Sequence, residues 1–451
     1  MMAKRSSLYV CQQCGASFSK WSGRCENCGA WNSLVEETKQ PEKKAIVDRS
    51  SGRVLQAEKL TDIHPGTIGE RIGTGLSQLD DVLGGGLMPG GVALLAGQPG
   101  IGKSTLLLQL VLSIGTNEPV LYISGEESAG QIRLRAERLS KSLPDNVALV
   151  ATTSADDIAT TIADGKYRLV IVDSMQTIAM AEVASAPGTV SQITNSANII
   201  IRAAKATNTS VVLVGHVTKE GSIAGPKVLE HLVDVVLSFE GDRYGGFKLL
   251  RAAKNRYGST AEVAILEMDG EGLKEVENAS ASLLAERGKS DGSVVLATME
   301  GNRPLLVEIQ ALVNPTHFGY PKRTASGFDI NRLTLLIAVL EKRTKLNLSD
   351  KDIFINVVGG LKLGDPAADL AVCMAIASAS AERSLSDDIV VFGEVGLGGE
   401  VRRVTNVVHR VIEAKKLGFK HAIAPQSKDG GSFILPVQDL RDSLNNYLTK
   451  K

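Results

Sequence analysis

Three absences limit what this chain can be. It has no run of about 18 apolar residues that could span a bilayer, and its start lacks the apolar core of a signal peptide. These point to a cytoplasmic protein with no membrane partner. It has no net charge either, with 50 basic residues against 50 acidic, so any nucleic-acid contact must come from local patches rather than a global field. Outside the first 28 residues there is a single cysteine, Cys373, in an apolar helical pattern that suits a buried small side chain. A secreted disulfide framework finds no support there.

The other four cysteines form two close pairs, Cys11-x-x-Cys14 and Cys25-x-x-Cys28. Each pair brings two thiolates onto one tight turn, and two such turns complete a tetrahedral Zn²⁺ site. Trp21 and Trp31, the only tryptophans, flank the second pair, and their expected use is to give so small a module some core. Residues 1–35 read as this zinc-binding module, and the charged, polar stretch 36–58 as a linker.

The stretch Gly97-Gln98-Pro99-Gly100-Ile101-Gly102-Lys103-Ser104-Thr105 follows the apolar run Val92–Ala96 and precedes a helical pattern. Strand, glycine-rich turn and helix is the context a phosphate-binding loop requires. Glycines let backbone N–H groups close on an anion, Lys103 reaches the β- and γ-phosphates of ATP, Ser104 is placed to ligate Mg²⁺, and Thr105 supports the loop. Upstream, Arg71–Gly91 reads as a short amphipathic helix and a glycine turn.

Apolar runs then alternate with helical patterns: Val120–Ile123 and Ser128–Leu139, Val147–Val150 and Asp156–Ala163, Leu169–Val172 and Ser191–Ala206, Ser210–Val214. That alternation predicts a mostly parallel sheet covered by helices, with ligands beyond the carboxyl ends of its strands. Asp173 ends a Walker B run and is positioned to hold Mg²⁺; Glu126 and Glu127 follow the neighbouring strand, where one carboxylate could orient or deprotonate water; His216 follows the last strand. Taken alone, His216 reads as a structural histidine.

A glutamate on the strand after the phosphate loop resembles RecA-type ATPases. Lys254-Asn255-Arg256-Tyr257-Gly258 narrows the match, because it is similar to the KNRFG motif of the bacterial RadA/Sms family. That family combines a four-cysteine zinc module, a RecA-like core and a Lon-protease-like domain, and the resemblance covers essentially the whole chain. It implies an α/β multidomain fold, with residues 59–276 as a RecA-like P-loop ATPase and 283–451 as a Lon-like α/β domain.

The resemblance assigns ATP and Mg²⁺ to Lys103, Ser104 and Asp173, catalysis to Glu126, and γ-phosphate sensing to His216. It implies that Lys254 and Arg256 reach into a neighbouring subunit's nucleotide site, as an arginine finger does. Tyr257 stands where the family has phenylalanine, and its added hydroxyl needs a partner. Val217–Lys227 falls where RecA-like rings hold single-stranded DNA, making Lys219 and Lys227 candidate phosphate contacts, with Lys254 and Arg256 beside them.

Glu277–Ala281 reads as a domain junction, followed by strands at Leu305–Ile309 and Asp352–Val358 and a helix at Asp369–Ala381. Leu363–Asp369 and Gly393–Gly399 resemble the proteolytic domain of Lon. Ala367 holds the serine position and Val408 the lysine position, so no peptide hydrolysis is expected there. Lys322, Arg323, Arg332, Lys342, Arg343 and Lys345 make a locally basic stretch, read as a DNA-tracking surface with Arg323 a named candidate. The function implied is a DNA-dependent ATPase of recombinational repair. It would be a hexameric ring on single-stranded DNA that promotes branch migration of branched intermediates with RecA. An ATP-switched scaffold and an ATP-driven protease are the competing classes, the second opposed by Ala367 and Val408.

Overall fold

The computed structural model describes residues 7–38, 59–62, 69–217, 223–224, 228–241, 246–316 and 319–448. Lys219 and Lys227 lie outside them. The chain divides into two compact units: 1–240 with 249–260 and 268–274, and 241–248 with 261–267 and 275–451.

The first unit begins with a three-stranded antiparallel sheet of β1 (Ser7–Cys11), β2 (Ser17–Phe18) and β3 (Leu34–Thr38), in the order β2-β1-β3. Its core is Cys11, Cys25 and Leu34, packed by Tyr9, Cys14 and Phe18. The tryptophans do not contribute. Trp21 is 58% and Trp31 73% exposed, so the expected core role fails: the cysteines that gather the metal also fill the centre.

After α1 (Ser77–Leu83), strands and helices alternate: β4 (Val92–Gly97), α2 (Lys103–Ile114), β5 (Val120–Ser124), α3 (Ala129–Leu139), β6 (Val147–Ala151), α4 (Ala155–Ala163), β7 (Leu169–Asp173), α5 (Val190–Thr207) and β8 (Ser210–Val217). Then come β9 (Ile223–Ala224), α6 (Val228–Leu232), β10 (Val235–Gly241) and β11 (Lys248–Asn255). Strands β10-β4-β8-β7-β5-β6 are neighbours in that order, and every pair among them is parallel. The buried runs of β4, β5 and β7 explain why: a parallel sheet is covered on both faces, so its central strands are apolar throughout. Ser128, Ser154 and Thr189 start their helices by accepting an amide N–H of the first turn.

Strands β12 (Val263–Asp269) and β13 (Gly272–Glu275) have residues divided between the two units. The second unit then holds α7 (Ala279–Leu284), β14 (Ser293–Glu300), β15 (Arg303–Pro315), β16 (Arg323–Ser326), α8 (Ile330–Thr344), β17 (Lys351–Val357) and α9 (Ala368–Ala381). It ends with β18 (Ile389–Val391), β19 (Glu394–Val395), β20 (Val401–Arg402), α10 (Val407–Lys416), β21 (His421–Ala424), β22 (Ile434–Pro436) and α11 (Leu440–Tyr447). Its main sheet runs β16-β17-β15-β14-β18-β21-β22. Within the stretch Glu277–Ala281, read as a domain junction, α7 begins. Asn278 caps it by accepting the Ala281 N–H at 3.0 Å, and small Ala279 and Ser280 are buried. Cys373 is fully buried in α9, where desolvation pushes its thiol pKa well up.

A candidate nucleotide site and a zinc module

Strand order brings the chemistry together. β8 lies between the P-loop strand β4 and the Walker B strand β7, while β7 borders β5. Register aligns Gly97 with His216 and Ser124 with Asp173, so the phosphate loop, Glu126, Asp173 and His216 all meet at the carboxyl ends of the strands. Gly100 (φ +79°) and Gly102 (φ +116°) take the left-handed backbone that the loop needs, and Gly102 caps α2.

Lys103 is 5% exposed, and its Nζ donates to the carbonyls of Gly97 (2.8 Å) and Gln98 (3.1 Å). Burial pulls its pKa down to about 8, against the opposing pull of Asp173 and Glu126. Ser104 Oγ donates to Asp173 Oδ2 at 2.7 Å, and the Tyr122 hydroxyl donates to the same oxygen at 2.7 Å. This hydroxyl–carboxylate pair fits Mg²⁺: hard oxygen donors, beside a loop shaped for phosphate.

The two glutamates after β5 separate. Glu127 is bound to Arg135 at 2.6 Å. Glu126 turns to the site, accepting from Ser174 Oγ at 2.6 Å with His216 Nε2 at 3.8 Å. Gly125 allows that turn, since a Cβ there would collide with Thr177 Oγ1. Burial, then Lys103, lowers the His216 pKa and favours the neutral imidazole, whose buried Nδ1 has no hydrogen-bond partner among the described residues. Tyr122 and Ser174 escaped sequence reading; one lies within the apolar run of β5 and the other is a small residue just after the Walker B run, and nothing local marks their contacts.

Lys254, Arg256 and Tyr257 sit elsewhere. Asp234 precedes β10, whose Val235 pairs with Ala93, so the motif gathers at the amino end of β4. A six-residue strand separates that end from Lys103 by roughly 17 Å. Lys254 Nζ donates to the carbonyls of Glu230 (2.7 Å), Val233 (2.7 Å) and His231 (3.4 Å), closing the end of α6. Arg256 Nη1 pairs with Asp234 Oδ1 at 3.1 Å. The hydroxyl of Tyr257 finds its partner in the same carboxylate, and burial pushes its pKa up to about 12.

In the zinc module, Gly15 N–H donates to Cys11 O and Gly29 N–H to Cys25 O, giving two matching turns. All four Sγ atoms lie within 4.8 Å of one another; Cys11–Cys28 are 3.7 Å and Cys14–Cys25 3.6 Å apart. A tetrahedron with ~2.3 Å Zn–S bonds requires about 3.8 Å between sulfurs, so Zn²⁺ fits. Trp21 and Trp31 lie on either side of Gly23, with the Arg24 guanidinium 5.8 Å from the Trp31 ring centre.

In the second unit the protease-like turn is closed. Ala367 is fully buried; Asp365 pairs with Arg410 at 2.7 Å and accepts from Met299 N–H and Thr298. Burial opposes ionisation of Asp365, but Arg410 holds its pKa below the usual carboxylate range. Arg410, not Val408, is the α10 residue that reaches this turn; Val408 is 45% exposed. Two arginines of the basic stretch have partners within the fold. Arg332 forks onto buried Asp369, Arg323 is engaged with the carbonyls of Leu348 and Lys351, and Arg343 lies near that of Leu397. Arg343 stays exposed, as do Lys322, Lys342 and Lys345 of the same stretch.

Comparison with known proteins fits this picture. Over 430 residues the chain is 47% identical to the DNA repair protein RadA of Listeria monocytogenes, covering 95% of this chain and 94% of that one. The chain belongs to the RadA family of DNA repair proteins. RadA of Pseudomonas aeruginosa is 45% identical, covering 98% and 99% of the two chains, and RadA of Bacillus subtilis 46%, covering 99% and 100%. Family models match at 9–36 (rubredoxin metal binding domain), 61–222 (AAA domain) and 334–428 (subunit ChlI of Mg-chelatase). A crystal structure of the RadB recombinase aligns at 22% identity and TM-score 0.37, over 46% of this chain and all of that one. This RadA-family chain thus combines a zinc module, a RecA-like P-loop ATPase domain and a Lon-like domain. Among the described residues no helix is long and apolar enough to cross a membrane.

Proposed function

We propose that this RadA-family chain hydrolyses ATP in response to single-stranded DNA, as a cytoplasmic homo-oligomeric ring acting in recombinational repair. The observation that carries the reading is the convergence of Lys103, Ser104, Glu126, Asp173 and His216 at the carboxyl ends of four adjacent strands. Lys103 exchanges its two carbonyl partners for phosphate oxygens, and so regains full charge. Ser104 and Asp173 would hold Mg²⁺, which when bound neutralises charge on the phosphates. Glu126, held by Ser174, takes the proton of the water that bonds to the γ-phosphorus as the bond to the ADP oxygen breaks; neutral His216 beside it can donate an N–H to a γ-phosphate oxygen.

The family resemblance and the position of Arg256, a strand's length from its own Lys103, support its acting on a neighbour's ATP. Turnover then requires an assembly, for which a six-membered ring is the form proposed, promoting branch migration with RecA. The closed turn at Ala367 gives no support to proteolysis.

The test is ATP turnover with and without single-stranded DNA across a salt series. Stimulation that weakens steeply as salt rises is expected, since phosphate contacts release counterions. Turnover indifferent to DNA at every salt concentration would refute the proposal.

A further inference from the structure

We infer that Asp234 is the positioning residue for Arg256; the inference rests on the inter-subunit role of Arg256 proposed above. Asp234 is deeply buried, 3% exposed at its side chain, at the junction of α6 and β10. Its Oδ2 accepts the Val92 N–H at 3.1 Å, and its Oδ1 takes Arg256 Nη1 at 3.1 Å and Lys205 Nζ at 3.5 Å. The Tyr257 hydroxyl adds a further donor. Two main-chain bonds frame the carboxylate: Asp234 N–H to Val92 O at 2.9 Å, and Arg256 N–H to Asp234 O at 3.1 Å.

Asp234 therefore ties three things together: the first residue of the P-loop strand, the end of α5 through Lys205, and the Lys254–Gly258 motif. A buried carboxylate must be satisfied, and this one has donors in surplus. It holds one nitrogen of Arg256 while 53% of that side chain faces solvent. An arginine fixed along one edge keeps donors on the other in a set direction, which is the preorganisation that stabilising a transferred phosphoryl requires. Should Arg256 shift toward a phosphate, Lys205, Tyr257 and Val92 keep Asp234 satisfied, so the shift strands no buried charge. Lys254, two residues before Arg256, has its amine on three carbonyls at the end of α6.

The test uses the full chain with an oligothymidylate and reads kcat and KM for ATP in Asp234→Asn, Arg256→Ala and the double variant. Asp234→Asn is expected to lower kcat about tenfold while KM stays within about twofold, because the P-loop lies at the far end of the strand. The double variant is expected to be no slower than Arg256→Ala. If Asp234→Asn does not fold, Asp234→Glu, which keeps the charge but moves it by one methylene, is read in its place with the same expectation. Unchanged kcat in the Asp234 variant, or losses that multiply in the double variant, would overturn the positioning role. Wild-type turnover in Arg256→Ala would instead overturn the inter-subunit reading beneath it.

Discussion

Two turns that lead into helices invite comparison: Gly97–Lys103 in the first unit and Leu363–Ala368 in the second. Both lead into buried helices, α2 and α9, and both carry charged groups in low-dielectric surroundings. At the first, the charges are held loosely. Lys103 leans on carbonyls with its pKa pulled down to about 8, Glu126 and His216 stand 3.8 Å apart, and among the described residues His216 Nδ1 has no partner. At the second, every charge is matched: Asp365 with Arg410, Asp369 with Arg332, and alanine where a nucleophile would stand. On the proposed function, the first turn keeps charge available for a ligand, while the second uses the same kind of charge as scaffold.

Opposite outcomes should follow from removing a cation at each turn. Lys103→Ala should abolish ATP turnover, by 100-fold or more, yet leave the melting temperature unchanged or raised, because a desolvated amine is gone. Arg410→Leu should do the reverse. It strands Asp365 and should cost about 3–5 kcal/mol of stability by denaturant unfolding, with casein never cleaved in either protein.

The comparison can be sharpened by pH. With its pKa pulled down to about 8, Lys103 of the free protein should be largely deprotonated at pH 8.5; bound phosphates restore the proton, so ATP binding at that pH should take one up. Calorimetry in buffers of different ionisation enthalpy reads this directly, and the uptake should vanish in Lys103→Met. For stability the sign is set by the lowered pKa. Between about 8 and the ordinary lysine value the unfolded chain binds more protons, so this group makes the fold more stable as pH rises through that window. Asp365, whose pKa is also lowered, gives a slope of the same sign in the acid range: its stabilising contribution is lost as pH falls through its lowered pKa.

The smallest effect is expected on the zinc module's surface. Trp21→Ala and Trp31→Ala should change its stability by no more than about 0.5 kcal/mol, whereas chelating the zinc should unfold it. A larger loss in either variant would mean the tryptophans do form a core.

How much was legible in the sequence follows from how local each feature is. The phosphate loop, the Walker B run and the cysteine pairs are contiguous or regularly spaced, and the parallel core follows from apolar runs alternating with helices. What could not be read depends on packing between distant positions. Asp234 is a lone acid whose partners lie 22 and 29 positions away, at Arg256 and Lys205. Whether Arg410 or Val408 faces inward is a matter of helix phase, two residues apart on α10. Arg323 and Arg332 look like surface charge until their carbonyl and carboxylate partners are seen.

The most direct test of the central claim mixes two inactive proteins. Lys103→Ala lacks a working P-loop but keeps Arg256, and Arg256→Ala keeps the P-loop but lacks the reaching cation. If ATP is hydrolysed at a pocket shared by adjacent subunits, mixing them on single-stranded DNA should restore a measurable part of wild-type turnover. No recovery at any ratio, despite demonstrated co-assembly, would contradict it.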